Sequence, residues 1–376
     1  MTPALVDRVR HRRVMEAAAP TAATVADALR AEHQVIGSSD VLVLVDRLRS
    51  EMLGAGPLDA VLALPGVTDV LVNGARQVFA DCGNGLVAVD VRFEGEETVR
   101  RLAQRMAAIA GRRLDDASPW VDARLPDGTR LHAVLAPLAR PGTVISLRVP
   151  SRTVYSLDDL AALGMLAGGA DDQLRRIVAA RASFVVTGGT GSGKTTVLAA
   201  MLALIDPRDR IVVVEDSTEL RPSHPHVVGL EARPPNVEGA GAVSVRDLVR
   251  QALRMRPDRL VVGEVRGPEV VDLLAALNTG HEGGCGTLHA NSAADVPARF
   301  EALGVAAGLV RDAVHSQLAA GVDLVVHLGR DASGTRRTRE IALLESDHGS
   351  SSWVRAVPAV TFVDGVARDG PAAESY

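Results

Sequence analysis

The sequence predicts an α/β protein in which a domain built on a mainly parallel sheet follows a smaller α/β domain. From Leu174 onward, apolar strand-like runs alternate with helical patterns, as they do in a parallel sheet with crossover helices. Residues 56–150 instead carry short β-runs separated by turns. At 376 residues, the chain is long enough for two domains that each bury a core.

Composition excludes several classes of protein. Hydrophobic residues make up 47% and charged residues 23%, which is typical of a globular chain, and the net charge of -5 gives no global basic field for nucleic acid. Cys82 and Cys285 are the two cysteines and form no disulfide framework, which suits a reducing compartment. No apolar run approaches the roughly 20 residues of a membrane span, and no secretory signal follows the first residues. We therefore expect a cytoplasmic protein.

The pattern along the chain predicts five segments. They are a helical extension (1–50), the N-terminal α/β domain (51–150), a linker (151–157), the larger domain with the mainly parallel sheet (158–347) and a loosely ordered tail (348–376). Strands of the larger domain are predicted at 183–187, 211–215, 260–264 and 285–288, followed from about Asp323 by a small β appendage. In the smaller domain we expect a helix over 97–110 and a hairpin at Asp127–Gly128.

A glycine-rich loop stands between the strand 183–187 and a run of good helix formers, which is the context that a phosphate-binding loop requires. Its residues are Gly188, Gly189, Thr190, Gly191, Ser192, Gly193, Lys194, Thr195 and Thr196. The glycines allow successive N–H groups to point into one anion-binding nest, and the following helix directs its positive end at the same place. The loop therefore predicts a nucleotide site for ATP.

Lys194 is the single lysine of the chain, although Lys and Arg together number 41. A compact ammonium fits between phosphate oxygens, whereas a planar guanidinium is too wide. We expect Lys194 to pair with the β- and γ-phosphates and the Thr195 hydroxyl to bind Mg²⁺.

Two acidic clusters follow predicted strands. Glu215, Asp216 and Glu219 come at the end of 211–215, where they either orient water or Mg²⁺ beside the γ-phosphate or simply cap the next segment. Glu264 ends the strand 260–264 and is expected to bind Mg²⁺ or polarise the attacking water, in the Walker-B arrangement. Arg266 and the other arginines flanking this strand form either a solvated face or a subunit interface that presents positive charge to the nucleotide of a neighbouring subunit.

His281, Cys285 and His289 have a spacing that suggests a metal site. Glycines at 283, 284 and 286 break the helix that ligation at i and i+4 would need, so we reject a metal here. We expect His281 and His289 to lie near the γ-phosphate as hydrogen-bond donors, the alternative being two core histidines whose hydrogen bonds are satisfied.

Four segments in order, GGTGSGKTT, VVVEDSTELR, LRMRPDRLVVGEVRG and NTGHEGGCGTLHANS, resemble the Walker A, aspartate, Walker B and histidine boxes of the secretion-superfamily ATPases. These proteins power type II and type IV secretion and type IV pili. GPLDAVLALPGVTDVLVNG near the N-terminus resembles in particular the Tad/Flp pilus-assembly branch. The resemblance covers roughly residues 50 to 345.

The resemblance implies a RecA-like P-loop NTPase domain preceded by a smaller α/β domain, a homo-hexameric ring, and Mg²⁺-dependent ATP hydrolysis. It implies that Arg124, Arg130 and Arg148 reach the γ-phosphate as arginine fingers. The implied partners are inner-membrane platform proteins of a pilus, secretion or conjugal-transfer apparatus, which would hold the ATPase peripherally at the inner face of the membrane.

Two other functions stay open at this point. One is a nucleotide-gated scaffold with negligible turnover, which differs from a fast enzyme only in geometry. The other is a RecA-type nucleic-acid motor. Aromatic residues make up 2% of the chain and the net charge is negative, so stacking platforms and a basic channel are scarce, and no direct nucleic-acid contact is expected.

Overall fold

The computed structural model describes residues 54–83, 85–150, 153–235, 239–331, 334–346, 353–363 and 365–376. The chain divides into two compact units between Ser151 and Arg152. The predicted helical extension over residues 1–50 lies outside the described residues.

Unit 1 is an antiparallel sheet with one long helix. Its elements are a 3-10 turn (Gly56–Leu58), α1 (Asp59–Leu62), β1 (Asp69–Asn73), β2 (Gln77–Asp81), β3 (Leu86–Val89), α2 (Glu96–Ile109), β4 (Trp120–Arg124), β5 (Arg130–Val134) and β6 (Val144–Arg148). The strand order is β3-β2-β1-β6-β5-β4. Alternate residues of β1, β5 and β6 are buried in one core with Val99, Leu102 and Met106 of α2. Buried residues recur at every second position of the strands and at every third or fourth position of α2, so the sheet and the helix pack their apolar sides against each other.

Unit 2 is a nine-stranded sheet covered by helices. Its elements are α3 (Leu157–Ala162), a 3-10 turn (Ala167–Gly169), α4 (Ala170–Ala179), β7 (Phe184–Gly188), α5 (Lys194–Leu202), β8 (Ile211–Glu215), β9 (Val227–Glu231), α6 (Val245–Ala252), β10 (Arg259–Val265), α7 (Glu269–Leu277), β11 (Cys285–Leu288), α8 (Val296–Ala306), α9 (Arg311–Gly321), β12 (Leu324–Arg330), β13 (Arg336–Ser346), β14 (Val354–Val363) and β15 (Val366–Asp369). The strand order is β15-β14-β13-β12-β7-β11-β10-β8-β9.

The strands from β12 to β9 in this order run parallel to one another, and each face of the sheet carries its own core. Helices α3, α4 and α5 pack on one face, and α6, α7, α8 and α9 pack on the other. Strands β7 and β8 are buried along their whole length, which is why their sequences are continuous apolar runs. The predicted α/β fold class is confirmed, and the carboxyl ends of six neighbouring parallel strands meet at one edge of the sheet.

Two predictions about the C-terminal part of the chain are wrong. The β appendage is not separate, because β12 pairs in parallel with β7 and continues into β13, β14 and β15. The tail predicted to be loose instead supplies β14 and β15, and Phe362 is 4% exposed in the core of unit 2. Burying this aromatic ring on the sheet stabilises the segment by the transfer of its apolar surface from water.

Candidate functional site

The phosphate-binding loop occupies residues 189–193, between the end of β7 and the start of α5. Its glycines are required by its backbone and its surroundings. Gly193 has φ +96°, and a Cβ at this position would lie 2.7 Å from the Met165 side chain. Gly188 has φ +147°, and a Cβ there would overlap the Leu328 carbonyl of β12. The loop therefore takes its shape from positive φ angles and from close packing against neighbouring segments.

Lys194 is the first residue of α5 and is 8% exposed. Its Nζ donates to the carbonyl oxygens of Gly188 at 2.9 Å and Gly189 at 3.0 Å. Burial lowers the pKa of the Lys194 ammonium, and the nearby Glu264 and Glu219 carboxylates oppose that change. The ammonium thus stands at the mouth of the loop, within reach of any anion that the loop binds.

The donors around this loop fit a polyphosphate. Gly189, Thr190 and Gly191 are exposed, and Thr195 and Thr196 lie half-buried in the first turn of α5. The N–H groups of such a turn have no acceptor within their own helix, and they carry the positive end of its dipole. Among the described residues, the buried Ser192 hydroxyl also has no hydrogen-bond partner. The donor set and the lysine therefore match the phosphates of ATP.

Glu264 lies near the end of β10, and its carboxylate contacts the side chain of His289, the residue that follows β11. Nε2 of His289 lies 3.0 Å from Glu264 Oε1. Burial lowers the pKa of His289, the Lys194 charge lowers it further, and Glu264 opposes both. A neutral imidazole beside a half-buried carboxylate can hold that carboxylate in one orientation by donating a hydrogen bond.

Arg266 links the two acidic clusters. Its guanidinium pairs with Asp216 and also lies 3.5 Å from Glu264 Oε2. Arg266 and Asp216 are both about half exposed, so the pair faces solvent at the edge of the site. Asp216 and Arg266 therefore lie next to Glu264.

Glu215 is buried at the end of β8, with 5% exposure. Its Oε1 accepts hydrogen bonds from the backbone N–H groups of Glu219 at 2.9 Å and Leu220 at 3.0 Å. The carboxylate lies over Gly263, where a Cβ would be 2.5 Å from Glu215 Cγ. One oxygen of Glu215 therefore fixes the turn that carries Glu219, which the sequence reasoning did not predict.

The position of His281 corrects the expectation that both histidines lie near the γ-phosphate. Because β11 runs parallel to β7, its amino end lies away from the phosphate-binding loop. His281 precedes β11 and contacts the Ala276 carbonyl at 3.2 Å, whereas His289 follows the strand. The four residues of β11 alone separate the two by about 13 Å. Within one chain the expectation is wrong for His281, while His289 lies on the same edge as the loop.

Arg124, Arg130 and Arg148 belong to unit 1 and form a single row there. Arg124 is opposite Arg130, and Arg130 is opposite Arg148, on neighbouring strands β4, β5 and β6. Directly opposed residues share one face of a sheet. Arg130 pairs with Asp122 at 2.9 Å, which lowers the pKa of that carboxyl. The three candidate fingers are thus neighbours, on the face opposite to the core.

Sequence reasoning missed two polar residues that make hydrogen bonds between neighbouring strands close to the site. His327 of β12 is buried, and its Nδ1 lies 2.9 Å from the hydroxyl of Thr187, the residue before Gly188. Thr287 of β11 donates a 2.6 Å hydrogen bond to the Gly263 carbonyl, where the pairing of β10 is irregular. In both cases the available signal was a polar residue inside an apolar strand, because a buried polar group needs a hydrogen-bond partner.

The comparisons with known proteins agree with this architecture. The sequence profile of the family described as "Type II/IV secretion system protein" matches residues 51–356, most of the chain. The chain belongs to the type II/IV secretion system protein family. A putative conjugal transfer protein of Mycobacterium tuberculosis is 56% identical over 321 residues, covering 84% of this chain and 91% of the relative.

More distantly related proteins are also similar to this chain. The conjugal transfer protein TrbB of Rhizobium radiobacter is 31% identical and covers 74% of this chain and 84% of its own length. The solved structure of the pilus retraction motor PilT with bound ADP has a TM-score of 0.54 at 23% identity, covering 74% of this chain and 78% of that one. The likeness to PilT shows a shared fold. None of the helices in the described part of the chain is long and apolar enough to span a membrane.

Proposed function

We propose that this protein is an ATP-hydrolysing motor subunit of a conjugal-transfer, secretion or pilus apparatus. The observation that carries the proposal is the single lysine of the chain, Lys194, on a glycine loop at the same sheet edge as the Glu264–His289 pair, whose oxygen and nitrogen are 3.0 Å apart. An anion-binding loop and an oriented carboxylate are two of the parts that hydrolysis of a phosphoanhydride uses.

Each side chain has a role that follows from its surroundings. The loop N–H groups and Lys194 bind the β- and γ-phosphates and balance their charge. Glu264 orients water for attack on the γ-phosphorus and accepts its proton as the bond to the β-phosphate oxygen breaks. His289 keeps that carboxylate in place, and Glu215 and Glu219 shape the polar wall next to it. Thr195 and Glu264 are the oxygen ligands that would hold Mg²⁺, which supplies further charge neutralisation when bound.

The arginine row of unit 1 is proposed to supply positive charge to the transferring phosphoryl group, either of its own subunit or of a neighbour. Guanidinium groups keep their charge at every accessible pH, and a finger of this kind increases turnover by three to five orders of magnitude in related chemistry. Replacing Arg124, Arg130 and Arg148 one at a time by alanine identifies which of them acts, because a finger changes kcat much more than ATP affinity.

The finer assignment is to the Tad/Flp branch, with a homo-hexameric ring as the working form. It is supported by the N-terminal segment GPLDAVLALPGVTDVLVNG and by the similarity to conjugal transfer proteins over most of the chain. On this proposal the ATPase is cytoplasmic and binds the inner face of the membrane through platform proteins of the apparatus.

The decisive experiment measures ATP hydrolysis by the purified protein beside Lys194→Ala and Glu264→Gln, with and without Mg²⁺, while light scattering follows assembly. Lys194→Ala should lose ATP binding, and Glu264→Gln should bind ATP but not turn it over. Hydrolysis that rises with ring formation and ignores added DNA supports the motor. Turnover unchanged in Glu264→Gln would contradict the role of that carboxylate, and DNA-stimulated turnover would favour a nucleic-acid motor instead.

A further inference from the structure

The phosphate-binding loop is contacted from outside by the hairpin that joins β12 and β13. Strand β12 pairs with β7 up to the pair Leu328–Gly188, so its end lies directly beside the start of the loop. Arg330 is the last residue of β12, and Arg336 is the first residue of β13. The two arginines therefore stand on the two arms of one hairpin, next to the loop.

Both arginines donate to the same acceptor, the carbonyl oxygen of Gly191. Arg330 Nη2 lies 3.0 Å from this oxygen, and Arg336 Nε lies 2.9 Å from it. The Arg336 side chain also passes close to Gly193, where a Cβ would lie 3.6 Å from Arg336 Cδ. Two charged donors on one carbonyl at the tip of an exposed loop is a strong local restraint.

Strands β12 and β13 are tied to each other and to a neighbouring segment next to these arginines. Arg330 Nη1 donates to Gly334 at 2.8 Å, and Arg339 donates to the Arg330 carbonyl at 2.7 Å. Arg337 pairs with Asp331 at 2.7 Å and donates to the Gly164 carbonyl at 3.1 Å. The arms are thereby tied to each other and to the segment before α4.

We propose that Arg330 and Arg336 are positioning residues that hold the phosphate-binding loop in its nucleotide-binding conformation. In a trans peptide the carbonyl and the following N–H point in opposite directions. Fixing the Gly191 oxygen on the outside directs the Ser192 N–H to the inside, where it now lies 3.3 Å from the Gly189 oxygen. A loop that is already shaped loses less conformational entropy when it binds phosphate.

This inference rests on the proposed ATP binding and concerns affinity. The two guanidinium groups act through the Gly191 peptide and not on the reacting atoms. Because both arginines are exposed, each hydrogen bond contributes modestly, and we expect Arg330→Gln or Arg336→Gln to weaken ATP and ADP binding about three- to tenfold. The two changes share one acceptor, so their effects should not be additive.

The experiment measures equilibrium binding of fluorescent ATP and ADP analogues to the full chain, together with KM, kcat and the melting temperature. Arg330→Gln and Arg336→Gln should raise Kd and KM while kcat at saturating ATP stays within about threefold, since the chemistry at Glu264 is unchanged. Arg336→Lys, which retains a charged donor, should have an intermediate Kd. The matched control is Arg208→Gln, which removes an exposed arginine paired with Asp206 in the turn before β8.

The outcomes distinguish a failure of nucleotide binding from a failure of the positioning role. If the unaltered protein binds neither nucleotide, the proposed function fails. If it binds them and both glutamine variants bind equally well, the positioning role is overturned. A loss of affinity in Arg208→Gln as large as in Arg336→Gln would also overturn it, because the effect would then be one of general charge. If one glutamine variant does not fold, the other tests the same Gly191 carbonyl, and wild-type affinity in that variant overturns the role.

Discussion

Gly263→Ala tests whether the Glu215 carboxylate is held by the packing described above. The new Cβ would lie 2.5 Å from Glu215 Cγ and 2.9 Å from its Oε1. Non-bonded carbons pack at about 3.5–4.0 Å, so the Glu215 side chain must move by roughly 1 Å. Such a shift lengthens the two hydrogen bonds that Oε1 accepts, now 2.9 and 3.0 Å, beyond useful range.

The cost combines overpacking, about 1–3 kcal/mol, with weakened hydrogen bonds to a charged acceptor, about 1.5–3 kcal/mol each when fully lost. Because the segment after β8 can relax in part, we expect a loss of about 3 kcal/mol in the free energy of unfolding. For a unit of this size, that corresponds to a decrease in Tm of about 6–12 °C. ATP turnover should fall as well, since the polar wall beside Glu264 moves.

The control is a double-mutant cycle with Glu215→Ala, measured by urea unfolding. Glu215→Ala removes the three atoms nearest to the new Cβ, so the cost of the alanine at 263 should fall below about 1 kcal/mol. The expected coupling is therefore about 2 kcal/mol, within the range for residues in contact. Equal costs in the two backgrounds would show that the steric contact with Glu215 is not the cause.

Three further predictions concern unit 2. Phe362→Ala should reduce the free energy of unfolding by about 3–5 kcal/mol because the ring is buried. Val363→Ala on the same strand should cost far less, because its side chain is 39% exposed. Similar small costs for both changes would mean that this strand does not pack on the sheet. Burial lowers the pKa of His327 from its ordinary value of 6.5, so the unfolded chain binds protons more readily and stability should decrease as pH falls below about 6.5. Urea midpoints between pH 5 and 8 measure this slope, and His327→Gln should reduce it; an unchanged slope would contradict the assignment. Burial raises the pKa of the Cys285 thiol to about 12, while Cys82 is exposed, so a thiol reagent should label one cysteine in the native protein and two in urea. Rapid native labelling of both would show that β11 opens.

The sequence was sufficient to predict the features that depend on a local pattern of residues. Runs such as Ile211–Val214 are β-branched and fully apolar, so they predict buried parallel strands, and the glycine loop before Lys194 has a spacing that few other structures need. An acidic residue at the end of such a strand made Glu264 a candidate. In each case the residues that define the feature lie within about ten positions of one another.

What could not be predicted depends on strand direction and strand partners. The pattern of β12 indicates a strand but not that it pairs with β7, so His327, Arg330 and Arg336 were not connected with the loop. His281 was misplaced because spacing alone does not show that a strand separates it from His289. Arginines on the surface gave no signal of their own in a chain where almost every basic residue is arginine.

The arginine row of unit 1 continues across the sheet into acidic residues. Arg148 is opposite Asp69, and Asp69 is opposite Asp81, so the charge changes sign once along five neighbouring strands from β2 to β4. The row therefore runs from negative to positive over about 19 Å across the strands, with Asp122 offsetting the charge of Arg130 beside it. The row attracts an anion to the β4 side and repels it from the β2 side, and so it orients a charged group that approaches this face of the sheet. Because screening at physiological ionic strength acts over about 8 Å, only a group already near contact senses this field.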